Sequence, residues 1–280
     1  MSLGSPAIQP VVPSGIPCWI ELACSDEAVL QNFYGSLFGW EYTVNRDPTT
    51  PTGRYSVASL GGVAVGGMYR VAADRPPGWI VHLAVQHTAS TAEWVGSLGG
   101  RVTLGPVEIP DRGSILHATD PTGAPVVFRE PGDSWEFDSG VPGTFSGADL
   151  NTHDGAAADH FYCRLFNYQS QQIGDASTVD YAAWHIDHVP VIYRYVMGPE
   201  YSPDTPPHWM VYFAVDPARG ADAAAGQAIM LGGDVVIQPY DTPFGRKAIL
   251  ADPDGAVFAV IDHSRSDDFG RAEVDDPYDD

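Results

Sequence analysis

The sequence predicts an α+β fold of two tandem domains, each built from two strand-helix-strand-strand-strand (βαβββ) modules. Three observations predict it. The chain repeats itself colinearly, each repeat sets helical apolar spacing between alternating strands, and a polar stretch containing Gly and Pro separates the repeats. "NFYGSLFGWEY" (32–42) returns as "HFYCRLFNYQS" (160–170), "GWIVHLAV" (78–85) as "HWMVYFAV" (208–215), and "DPTGAPVVF" (120–128) as "DPDGAVFAV" (252–260), at offsets of 128, 130 and 132. The expected layout is an N-terminal extension over 1–15, a first domain over 16–131, a linker over 132–143, a second domain over 144–263 and an acidic tail over 264–280.

Taken in order, "CWIELACSD" (18–26) alternates as a half-buried strand. Ser25 or Asp26 then caps a helix with Val29, Leu30, Phe33 and Leu37 at helical spacing, and Gly39 ends it. "GWIVHLAV" alternates again. "TASTAEWVGSLGG" reads as a second helix stopped by Gly99 and Gly100, and strands follow as far as "PVVFREP". His185 and His188 straddle an expected turn, so a shared metal there is not the reading.

Composition bounds the partners. Thirty-six Asp and Glu against 14 Lys and Arg give a formal charge of -22, which repels nucleic acid and anionic membranes. No segment approaches the roughly 20 apolar residues of a membrane helix, and the N-terminus lacks a leader pattern. Three cysteines without paired spacing suit a reducing cytoplasm. The oligomeric state is not written in the sequence.

"CWIELACSDEAVLQNFYGSLFGWEY" and "ATDPTGAPVVF" resemble the opening and closing motifs of the vicinal oxygen chelate superfamily, which holds glyoxalase I, bleomycin-resistance proteins and extradiol dioxygenases. The Trp-x-Glu-Leu and Asp-Pro-x-Gly-Ala motifs look most like those of actinobacterial tandem glyoxalase-like "hydroxylase" proteins. The resemblance spans about residues 16–263. It implies sheets curled around a cleft with helices outside, and it does not imply one reaction. Carried over by position, the family's metal-ligand places fall on Trp19, Gly67, Ile80 and Val127, then on Gly147, Tyr193, Met210 and Ala259. Only Tyr193 offers a donor, and one phenol does not hold a metal. The expectation is no metal and no cofactor.

Strand alternation puts Trp19, Glu21, Ile80, His82, Val127 and Arg129 on the cleft face of the first half. Asp149, Asn151, Tyr193, Tyr195, Met210 and Tyr212 take that face in the second. Glu21, His82 and Arg129 then form either a base, an acid and an anion clamp or a self-satisfied structural network. Asp149 and Tyr212 occupy the equivalent places of Glu21 and His82. Trp19, Ile80, Asn151, Tyr193, Tyr195 and Met210 are the candidate ligand contacts, and the bland reading is that they only fill the clefts. The leading expectation is a metal-independent protein performing acid-base chemistry on a small aromatic or polycyclic metabolite in natural-product biosynthesis or self-resistance. Drug sequestration without chemistry and a metal-dependent enzyme with unusual ligands are the alternatives.

Overall fold

The computed structural model describes residues 12–71, 76–109, 112–133, 135–174 and 179–266. Most of the expected extension (1–11) and of the expected tail (267–280) lies outside the described residues. The first module runs β1 (Pro17–Cys24), α1 (Glu27–Phe38), β2 (Glu41–Arg46), β3 (Arg54–Leu60), β4 (Val63–Arg70). The next is β5 (Gly78–Ala84), α2 (Thr88–Ser97), β6 (Arg101–Ile109), β7 (Gly113–Thr119), β8 (Pro125–Glu130). The third is β9 (Phe145–Thr152), α3 (Gly155–Phe166), β10 (Gln169–Gln172), β11 (Tyr181–Ile186), β12 (Val189–Val196). The last is β13 (His208–Ala214), α4 (Gly220–Met230), β14 (Asp234–Thr242), β15 (Gly245–Ala251), β16 (Val257–Asp262). The modules pair into two eight-stranded sheets, ordered β2-β3-β4-β1-β5-β8-β7-β6 and β10-β11-β12-β9-β13-β16-β15-β14.

The helix signals act as their chemistry requires. Asp26 caps α1 by accepting from the amides of Ala28 and Val29, and Gly39 closes it at φ 83°, a left-handed turn that Gly adopts without steric cost. Its buried stripe is Leu30, Phe33, Tyr34 and Leu37. Val29, assigned to that stripe from the sequence, is 46% exposed. The i, i+3, i+4, i+7 row begins at Leu30, so Val29 sits one step off it. The β11–β12 turn forms where expected, with Asp187 and His188 both at positive φ.

One apolar core joins the halves. Ile20, Leu22, Trp79, Val81 and Phe128 from the first sheet share it with Leu150, Trp209, Val211, Phe213 and Phe258 from the second, and the helices lie in it. The "Asp-Pro-x-Gly-Ala" motif explains part of the join. Asp120 Oδ1 accepts from the amides of Thr122, Gly123 and Ala124, which pins the turn before β8. Its Oδ2 accepts from Tyr162 of α3, in the other half, at 3.1 Å. Reciprocally, Asp252 holds its own turn and accepts from Tyr34 of α1 at 2.9 Å. Tyr34→Phe removes that donor from a buried carboxylate and is expected to cost about 1–3 kcal/mol. Urea unfolding at neutral pH measures it, with fluorescence and circular dichroism tracing one shared transition. Two separated transitions would sink the single-core account.

The sheets curl enough for their far ends to meet. Asp47, just after edge strand β2, accepts from Arg112, just before β7, at 3.0 Å. Both residues line the cavity of the first cleft.

Candidate functional site

The alternation in β1 settles where Glu21 points. Ile20, Leu22 and Cys24 enter the common core, whereas Trp19 and Ala23 pack with Tyr55, Tyr69 and Val71 on the opposite face. Glu21 shares that second face and is 3% exposed. Antiparallel pairing sets Trp19 opposite His82 and Glu21 opposite Ile80, and parallel pairing sets Ala84 beside Arg129. The three charged or polar groups named from sequence are therefore brought together.

Their contacts form a chain. Arg129 Nε donates to His82 Nδ1 at 3.2 Å, and His82 Nε2 lies 3.2 Å from Glu21 Oε2. Because Nδ1 accepts, the neutral ring carries its proton on Nε2. That nitrogen is at ion-pair distance from Glu21 without a well-formed hydrogen bond. Tyr55 Oη donates to Glu21 Oε2 at 3.1 Å and accepts from Trp19 Nε1 at 2.6 Å. Arg129 also donates to the Arg112 carbonyl at 3.1 Å, and its guanidinium stacks 4.1 Å over the Trp135 ring. Trp135 sits edge-on to Trp19 at 4.7 Å and donates to the Cys18 carbonyl.

Burial sets the charges. It pulls His82 down to about 4 against the raising effect of Glu21, so the ring is neutral at pH 7. Burial would raise Glu21, but His82, His117 and Arg129 outweigh it and hold the carboxyl at about 2. For His82 the unfolded chain takes the proton first as pH falls. Its contribution is fully present above about 6.5 and is lost as pH falls towards 4. Asp252, raised by burial to about 6, acts with the opposite sign in the same window. A comparison with His82→Gln isolates the histidine. Between pH 7 and 4 the native protein should lose on the order of 3 kcal/mol of stability relative to the variant, measured by denaturant titration across pH. Parallel curves would show that His82 does not carry the burial penalty.

Above Glu21 lies a cavity of about 150 Å³, lined by Tyr55, Tyr69, Arg112, His117, Ile115 and Arg129 among others. Glu21 Oε2 is engaged by Tyr55. Oε1 is buried and has no hydrogen-bond partner among the described residues. Arg112 stacks 5.3 Å over Tyr55 while paired to Asp47, so aromatic and ionic contacts together hold it in the cavity lining. Trp19 and Ile80 belong to the packed wall around this cleft, not to the residues lining its cavity.

The second cleft is built on the same register, but its carboxylate is paired on both oxygens. Asp149 lies opposite Met210 and beside Tyr193. Tyr212 Oη donates to Asp149 Oδ2 at 2.6 Å, and Tyr181 Oη donates to Oδ1 at 3.2 Å, so both carboxylate oxygens are used. Burial raises the Asp149 carboxyl, and Lys247, Tyr212 and Tyr181 moderate the shift. Lys247 contacts Tyr212 Oη at 3.4 Å. Tyr193 stacks on Tyr181 at 5.5 Å and 4°, and Phe244 covers both edge-on. Tyr195 donates to Glu200, Asn151 bonds His208 at 3.0 Å, and Met210 packs with Tyr212, Ile249 and Ile261.

Sequence reading missed Tyr55, Arg112, His117, Trp135 and Lys247. Tyr55 had a signal: it precedes Tyr181 by 126 residues, as Tyr69 precedes Tyr195, close to the repeat offset. Trp135 had none, because its segment reads as linker by composition.

The family's metal places do not fit a metal. Trp19, Ile80 and Val127 have no suitable donors, and a Cβ on Gly67 would lie 2.3 Å from Tyr55 Oη, so the tyrosine fills the space a ligand side chain would need. Among the described residues no group of three or more His, Cys, Asp or Glu is placed to hold an ion. Nor is any helix among them long and apolar enough to cross a membrane.

Four βαβββ modules folded into two cleft-forming sheets define the class. The fold matches that of a Mn(II)-bound glyoxalase from Novosphingobium aromaticivorans, at TM-score 0.63 and 16% identity over 91% of this chain and 86% of that one. No family model matches. Curated relatives decide membership, and the chain belongs to the vicinal oxygen chelate superfamily. It is 33% identical over 264 residues to the anthracycline biosynthesis protein DnrV of Streptomyces peucetius, covering 89% of this chain and 93% of that protein. It is equally 33% identical over 259 residues to CFP32 of Mycobacterium tuberculosis, which bears the name of a glyoxylase, covering 88% and 94%.

Proposed function

We propose that this protein acts on a small aromatic or polycyclic metabolite in natural-product biosynthesis, by acid-base chemistry in its first cleft and without a metal. The observation that carries the reading is Glu21, a buried carboxylate that lines the cavity and whose Oε1 has no hydrogen-bond partner among the described residues. The likeness to DnrV, named for anthracycline biosynthesis, supports the substrate class. Asp149 does not play the same part, because its two oxygens are taken by tyrosines. Tyr212 is a poor proton donor, its phenol pushed well above 10 by burial and by Asp149.

The electrostatics restrict the chemistry. A carboxylate held at about 2 is a weak base, so Glu21 takes a proton from an acidic O–H and not from unactivated carbon. Arg129 balances the oxyanion that results, and the same proton returns from Glu21 before release. His82, neutral and tied to Arg129, positions the carboxylate and does not supply the proton.

The weak basicity also favours a second reading, in which the cleft binds such a metabolite and returns it unchanged, as a self-resistance protein would. Incubation with hydroxylated anthraquinones in the presence of a strong chelator, followed by chromatography and mass spectrometry, separates the readings. Conversion that survives chelation supports the enzyme. Saturable binding with quantitative recovery supports sequestration. Conversion abolished by chelation and restored by one metal would overturn both.

A further inference from the structure

We infer that the first cleft selects ligands by a neutral hydroxyl donor on a single terminal ring, delivered to Glu21 Oε1. This rests on the reading of that cleft as the working site and adds what it must recognise. Three observations lead to it.

The unpaired oxygen of this cavity-lining carboxylate is an acceptor. Glu21 is held ionised, so Oε1 offers only lone pairs, and a group that pairs with it must donate. Leaving a buried carboxylate oxygen unpaired is costly, so a ligand that supplies the donor regains that cost on binding. Tyr55 already serves the other oxygen and is itself locked by Trp19, so the carboxylate has no reason to rotate away.

Cationic and polar groups already stand around Glu21. His82 acts on it most, then His117 and Arg129, and Arg129 donates to His82. An ammonium ligand would be placed close to that guanidinium in a low-dielectric cleft, where like charges repel strongly. A neutral hydroxyl gains the charge-assisted hydrogen bond without this repulsion. The net charge of -22 does not change this, because the local field comes from the nearest groups.

The cavity has the size and walls for one ring. About 150 Å³ is the scale of a protein cavity that accepts benzene. Tyr55 and Tyr69 are near-parallel on one side at 6.2 Å and 17°, and Leu104, Ile109 and Ile115 lie among the other lining residues. A larger ligand would insert one ring and leave the rest outside the cavity.

The test is calorimetric titration of the full-length protein with 1-naphthol, 1-methoxynaphthalene and 1-naphthylmethylammonium. Native protein should bind the naphthol at least about tenfold more tightly than either other probe, as expected for a hydrogen bond to a charged acceptor. Glu21→Gln gives a second, independent reading. Its amide oxygen stays with the Tyr55 hydroxyl and its NH2 replaces the acceptor, so the preference for the naphthol over the methyl ether should be lost. Equal binding of naphthol and ether by native protein, tighter binding of the ammonium, or an unchanged preference in folded Glu21→Gln would overturn the hydroxyl selection while leaving an aromatic site standing. Failure of all three probes to bind native protein would overturn the aromatic cleft itself.

Discussion

Replacing Arg129 with Met is expected to lower the unfolding free energy by about 3–5 kcal/mol, the largest loss of stability anticipated for a single cleft residue. The guanidinium is 3% exposed and makes three kinds of contact: a donor to His82, a donor to the Arg112 carbonyl, and a cation over Trp135. Met restores the bulk but not the charge. Glu21 then remains as a buried anion that has lost one of the groups holding it ionised, and its carboxyl should rise. Adding Glu21→Gln removes the uncompensated charge and should recover part of the loss. A double-mutant cycle by denaturant unfolding measures the coupling. Additive losses would mean that Arg129 stabilises the fold through contacts that do not involve the Glu21 charge.

Replacing Glu21 with Ala is expected to reduce turnover by about 10²–10⁴-fold, the range for removing a group that moves a proton in the transition state. The companion signature is the pH profile. Native Glu21 stays ionised down to about 2, so its titration produces no acidic limb between pH 8 and 5. Activity should hold across that range and fall only as His82 charges near 4 and disrupts the Arg129 contact. Rates of anthraquinone conversion from pH 8 to 4 test this. A limb centred near 6 would assign the proton transfer to another group.

The fold was legible in the sequence because repetition and alternation are strong, redundant signals. Three motifs could each be read twice, and a one-residue slip in β1 would have forced Glu21 under the helices. The charged trio of the first cleft was legible for the same reason: Glu21, His82 and Arg129 occupy successive cleft-facing places on strands known to be neighbours. Which oxygen of Glu21 is spoken for was not legible. That depends on Tyr55, which arrives from β3 two strands away and reaches across Gly67. Arg112 and Trp135 come from connections between elements, where periodicity carries no information. The difference between the clefts was equally hidden. Asp149 and Glu21 look interchangeable as letters, but Tyr212 stands where His82 does and a phenol donates where the imidazole only approaches.

The reciprocal bonds of Tyr34 to Asp252 and Tyr162 to Asp120 bear on how such a chain changes over generations. Each half supplies the hydroxyl that the other half's closing turn accepts, so the molecule is in effect a dimer whose subunits are covalently fused. Neither copy can be discarded without stripping the other of its partner, even if one has stopped doing chemistry. Selection can therefore relax on the contents of one cleft while holding its shell nearly fixed. A sealed carboxylate like Asp149 beside an open one like Glu21 is the divergence such an arrangement permits.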